Sequence, residues 1–243
     1  MFRWLHKTIV AYAWRYIERH LRKLLDAGDY ESVLRHATQL CQKRENHFGA
    51  QYWRALALLW LERHREALDI VDRLERLHAE GVIKMPEAWL IGFEEIKCGA
   101  LSGLKQYEAL HDFSSRCLER HPDSVPVASF QLLATMHLDV LTAATPCLHF
   151  LDCSIDNFDQ AWQFLALYSA QSRLGNEKRA GEIAQLALAK YPDDAGVQEM
   201  AKVKCITRDS VSRCVRPRAD RNCMRGVRVN VPRGGKTEKR RKG

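Results

Sequence analysis

The side chains best suited to chemistry are eight cysteines, ten histidines and a run of cations near the C-terminus. The closest-spaced soft ligands are Cys147-x-His149-x-x-x-Cys153. On a helix this spacing gathers at most three donors, whereas a structural zinc site closes a tetrahedron with four. No C-x-x-C pair occurs. The scatter of Cys41, Cys98, Cys117, Cys147, Cys153, Cys205, Cys214 and Cys223 spells neither a zinc ribbon nor a disulfide framework. Most of the first six fall at apolar helical positions and are expected to be small buried hydrophobes. The last three are expected to be exposed thiols. The histidines sit mostly beside charges, where solvation accounts for them. Phosphate loops, dinucleotide glycine fingerprints, nucleophile elbows and paired-histidine zinc motifs are missing from the sequence. Gly99-Ala100-Leu101-Ser102-Gly103 has no strand before it. The acidic pairs Glu94–Glu95 and Asp152/Asp156 are of a kind that helical surfaces commonly carry. No catalytic residue, cofactor or metal is therefore expected.

Charge divides the chain. The 243 residues carry a net charge of +8, yet residues 202–243 alone carry +12, leaving −4 on the first 201. A mildly acidic body with a cationic extension reads as a folded domain bearing an arm. In that arm Pro217, Gly226, Pro232, Gly234 and Gly235 stand among many arginines. Its apolar surface is too small to offset ordering entropy, so disorder is expected. The division is placed at 1–206 for the body and 207–243 for the tail. Lys239, Arg240, Arg241 and Lys242 form a basic cluster suited to phosphates. No aromatic residue follows Lys202, so base stacking has no support there.

The elements that must position any site read as helices. Trp4, Leu5, Ile9, Tyr12, Tyr16, Leu21, Leu24 and Leu25 follow a helical period, and Gly28-Asp29-Tyr30 interrupts it. Val33, Leu34, Ala37, Leu40 and Cys41 make the next apolar stripe. A third helix runs through Tyr52, Trp53, Leu56 and Trp60. After a turn at Glu62-Arg63-His64, a fourth carries Ala67, Leu68, Val71 and Leu74. Short turns between such helices favour antiparallel neighbours. Strand signals are nearly missing before Val227–Val231. Met1–Ile17 is basic and has no acid before Glu18, as in a mitochondrial presequence. Its unbroken run into the following pattern reads as the first structural helix.

The clearest local pattern comes later. Trp162–Tyr168 opens a helix, Leu174-Gly175-Asn176 stops it, and Ala180, Ile183, Ala184, Ala187 and Leu188 pack the next, which Pro192 ends. Gly175 suits a left-handed cap. Ala180 and Ala187 let two helices approach closely, and Pro192 cannot continue a helix. This unit resembles a tetratricopeptide repeat, matched at Gly175, Ala180, Ala187 and Pro192. Spacing extends the resemblance over residues 14–194. Val33 to Ala67 is 34 residues, and Leu110 to Ala180 is 70, twice 35. A hidden unit is expected near 124–155, and an insertion near His78–Pro86. Glu62 stands where a turn glycine is expected, and Pro146 is expected to disrupt the hidden unit. The fold class is therefore all-α, an antiparallel helix-hairpin solenoid with a disordered basic tail.

The resemblance implies a noncatalytic scaffold that holds a protein or peptide in a concave groove lined by the first helix of each pair. The expected partner-binding residues are Arg15, Arg22, Tyr52, Trp60, Trp162 and Arg173, with Glu18, Leu56, Glu95, Leu165 and Ser169 alongside. Nucleic acid is the alternative partner, reached through Lys239, Arg240, Arg241 and Lys242. No stretch reaches the roughly 20 apolar residues of a membrane span. A cytoplasmic location is expected, with nuclear or mitochondrial targeting as alternatives.

Overall fold

The computed structural model describes residues 2–43 and 47–202, with side chains from Trp14 onward apart from residues 88, 142 and 143. The expected disorder of residues 207–243, the boundary at 206, Cys205, Cys214, Cys223 and the cluster Lys239–Lys242 lie outside the described residues.

Among the described residues eleven α-helices follow one another, and no strand forms. They are α1 (Phe2–Asp26), α2 (Tyr30–Lys43), α3 (Phe48–Trp60), α4 (His64–Ala79), α5 (Glu87–Gly103), α6 (Tyr107–Arg120), α7 (Val125–His137), α8 (Thr145–Cys153), α9 (Ala161–Arg173), α10 (Glu177–Lys190) and α11 (Ala195–Lys202). The first ten pair as hairpins, α1–α2 through α9–α10. The fold is thus an antiparallel helix-hairpin solenoid.

The chain turns inside each pair by one device. Gly28, Glu62, Lys105, Asp139 and Gly175 all have φ between 57° and 76°. In four of these turns the left-handed residue donates its N–H to a carbonyl three residues back, and the next residue to one five back. Gly175 and Asn176 bond Ser172 and Gln171 in this way, and Glu62 and Arg63 bond Leu59 and Leu58. Such bonds satisfy carbonyls that a helix end leaves unpaired. Only two of the five turns use the glycine that makes this conformation free of steric cost.

Starts are capped by short polar side chains. Ser32 donates its N–H to the Asp29 carboxylate at 3.1 Å, Val127 to Ser124 Oγ at 3.4 Å, and Val197 to the Asp194 carboxylate at 3.0 Å. An unfilled first-turn N–H on a helix is satisfied this way. Gln163 Oε1 accepts from both Asp159 and Gln160 N–H at the start of α9.

The expected insertion is the connector Glu80–Pro86, where Gly81 takes φ +71° and Met85 is buried. The hidden unit exists as α7–α8. Pro146 begins α8 instead of disrupting it, because the first turn of a helix needs no N–H there. This second helix is shortened to nine residues and follows a 3-10 turn at Leu141–Ala144.

Two continuous apolar clusters fill the interior. One runs from Leu21 to Ala134, and the next from Ala128 to Met200, so they interlock at α7. The first is built on large rings such as Trp53 and Phe93. The second relies on alanines, including Ala180, Ala184 and Ala187, between Phe158, Phe164 and Leu167. α11 closes the last hairpin by burying Val197 and Met200.

Candidate functional site

The site is the face presented by the first helix of each pair. From α3 onward these helices pack directly on one another, α3 on α5, α5 on α7 and α7 on α9. Each second helix reaches the following hairpin through its first helix. First helices placed side by side, with second helices outside them, make the first-helix side the concave one.

Glycine permits the close approach. A Cβ on Gly92 would lie 2.8 Å from the Tyr52 ring, and one on Gly99 would lie 3.0 Å from Leu59. The Tyr52 ring therefore rests on α5. It also meets Trp89, Phe93 and Trp53 edge-to-face, with centroids 5.3, 5.6 and 5.9 Å away. Such edge contacts are favourable for aromatic rings. Burial, with Glu95 as the next contributor, raises the Tyr52 phenol well above its ordinary value.

The six residues expected to bind a partner divide by burial. Arg15 and Arg173 are exposed and Arg22 is half-buried. Tyr52 is a core residue, 5% exposed. Trp60 is half-buried and stacks on Tyr30 at 5.4 Å. Trp162 is half-buried against Phe130, with centroids 4.7 Å apart. Arg173 donates to the Met136 carbonyl at 2.6 Å, tying the end of α9 to the end of α7. Beside that carbonyl His137 stacks on Tyr107 at 3.9 Å, and burial lowers its pKa, followed by the Arg173 charge.

The groove also holds acids. Glu95 lies between Gly92 and Gly99 on the same face of α5. Burial is the main cause that lifts its carboxyl to about 7, and the charges of Asp159 and Glu94 add to it. Asp159 precedes α9 and is likewise raised by burial, with Lys190 opposing. The Lys190 ammonium itself is held by the carbonyls of Phe158 and Asp156. Glu18 is raised by burial and steadied by Arg22. Glu94 points elsewhere, to Arg120 at 2.9 Å. Sequence reasoning placed Glu95 in the groove but missed Asp159, which precedes the helical pattern of α9.

The cysteine–histidine set is separated by packing. Cys147 donates to the Ala128 carbonyl at 3.0 Å, while Cys153 Sγ lies 3.9 Å from His149 Nε2. Cys41, Cys98 and Cys117 are buried, Cys147 is half-buried and Cys153 is exposed. Burial raises the thiols of Cys117 and Cys147 to about 12. Among the described residues no three His, Cys, Asp or Glu side chains converge as metal ligands. No helix among them is long and apolar enough to cross a membrane.

No protein-family model matches the chain. No curated protein matches its sequence significantly. Solved structures do share its fold. A thermophilic tetratricopeptide-repeat protein of Thermus thermophilus superposes with TM-score 0.60 at 17% identity, over 76% of this chain and 95% of its own. The MamA RS-1 ArsTM double mutant superposes with TM-score 0.52 at 15% identity, over 74% of this chain and 96% of its own. The fold is thus tetratricopeptide-like.

Proposed function

We propose that this chain is a noncatalytic scaffold that holds an extended segment of a partner protein against its first helices. The observation that carries this reading is the direct packing of α3, α5, α7 and α9 side by side, which gives one continuous concave face. The tetratricopeptide-like fold supports it, because an array of hairpins presents an extended concave binding surface. Arg15 and Arg22 at one end, with Trp162 and Arg173 at the other, supply polar and aromatic anchors of the kind that dominate interfaces. Tyr52 acts from beneath by fixing the floor, and Trp60 braces α3 against α2 through Tyr30.

A charge-reversal comparison tests the reading. Partners recovered with the wild-type chain are measured against Arg15→Glu, Arg22→Glu and Arg173→Glu made together. A matched set on second helices is Arg65→Glu, Arg76→Glu and Lys178→Glu. Loss of partners confined to the first set supports the groove. Equal loss from both sets, or none from the first, overturns it.

A further inference from the structure

One carboxylate in the groove is left without a counter-charge. Among the described residues no cation or hydrogen-bond donor reaches Glu95, and its electrostatic neighbours are the acids Asp159 and Glu94 and the Tyr52 phenol. The other groove acids are offset: Arg22 acts on Glu18 and Lys190 on Asp159. A half-buried carboxylate without a partner is costly, and a cation arriving from outside relieves that cost.

The same chain carries such cations. Residues 203–243 hold fourteen Lys and Arg against three acids, following a body that is net negative. They begin just after α11, which packs on α9 and α10, so the chain leaves the body beside the hairpin that Asp159 introduces. From α9 to α5 is two helix-to-helix steps of about 8–10 Å each. An extended chain gains about 3.3 Å per residue, so roughly six residues span that distance.

We infer that the α5 face around Glu95 and Asp159 receives a Lys or Arg side chain from this chain's own C-terminal segment. The tail then occupies the groove as an internal ligand, and an incoming partner must displace it. This inference rests on the groove reading above. A tethered segment competes at an effective concentration in the millimolar range, so weak contacts suffice for occupancy.

Carbodiimide coupling of the full-length chain tests it, since this reagent joins a carboxylate to a lysine amine only where the two touch. The expected product is a monomer with Glu95 or Asp159 linked to Lys236, Lys239 or Lys242, mapped by peptide mass. The link should fall roughly tenfold between about 0.1 M and about 1 M salt, as the screening length shrinks from about 10 Å to about 3 Å. Glu95→Gln with Asp159→Asn should abolish it while the far-ultraviolet helical signal stays unchanged. Links found only between copies, links spread evenly over second-helix acids such as Glu182, or no links from these two carboxylates would overturn the inference. A groove that passes the charge-reversal comparison but shows no such link takes foreign segments and not the tail. A groove that fails the comparison and still shows the link refutes the scaffold reading instead.

Discussion

The first and second helices of each pair solve different problems. In α3, residues 49–53 and 55–58 are all buried, and in α9 residues 163, 164 and 166–171 are buried. These helices are enclosed nearly all round because each touches its own partner helix and a neighbouring first helix. The second helices α2, α4, α6 and α10 bury one stripe and leave a charged face in solvent. That outer face carries local ion pairs, Arg63–Glu66 at 2.7 Å and Arg179–Glu182 at 2.7 Å. Exposed pairs of this kind contribute little to stability. Cohesion and curvature therefore reside in the inner row, and solubility in the outer row.

Substitutions along the two rows should separate these roles, the largest effect first. Leu167 is fully buried in α9, so Leu167→Ala should cost about 2–5 kcal/mol. Leu186 on α10 is 42% exposed, and Leu186→Ala should change stability by less than about 0.5 kcal/mol. Urea unfolding of both variants measures the contrast.

The next effect depends on pH. Because the folded-state pKa of Glu95 is raised, the native state binds the proton more tightly than the unfolded chain does. Stability from this group is greatest below about 4.5 and is lost as pH rises through about 7. At about 1 M salt, where the tail contact is screened, Glu95→Gln should therefore stabilise the chain at pH 8 by about 1–3 kcal/mol, after allowance for partial exposure, and change little at pH 4.5. Thermal melts across this range provide the measurement.

Glycine substitution should change sign between rows. Gly99→Val on α5 drives a branched side chain toward Leu59 and should cost about 1–3 kcal/mol. Gly181 on α10 faces open space, so Gly181→Ala should stabilise by about 0.5–1 kcal/mol through helix propensity. Small effects are also expected in the turns. Gly175→Ala should cost about 1 kcal/mol, whereas Glu62→Gly should be neutral or stabilise by a few tenths, because Glu62 already bears the left-handed strain. Chemical denaturation resolves both if the unfolding slope is unchanged.

Much of this architecture was legible in the chain because 3.6-residue periodicity and 34-residue spacing are repetitive signals. Gly28 and Gly175 announced their turns through residue type. Glu62, Lys105 and Asp139 did not, because packing on both sides holds them in a conformation their own side chains disfavour. Pro146 reads as a breaker until the first turn of α8 is located, where the same residue fits. The floor of the groove was harder to read than its walls. Tyr52 and Arg22 both fall on the first-helix face by register, yet only the glycine at position 92 brings α5 close enough to bury the tyrosine. Asp159 lies before a helix start, outside any periodic pattern.

Photo-crosslinking shows which row of helices meets a partner. A benzoylphenylalanine residue placed at position 15 or 173 samples the first-helix side, and one at position 65 or 178 samples the second-helix side. One and the same partner is expected to be captured from both first-helix positions and from neither second-helix position. Capture from the outer row at equal yield, or none from the inner row, would contradict the groove reading.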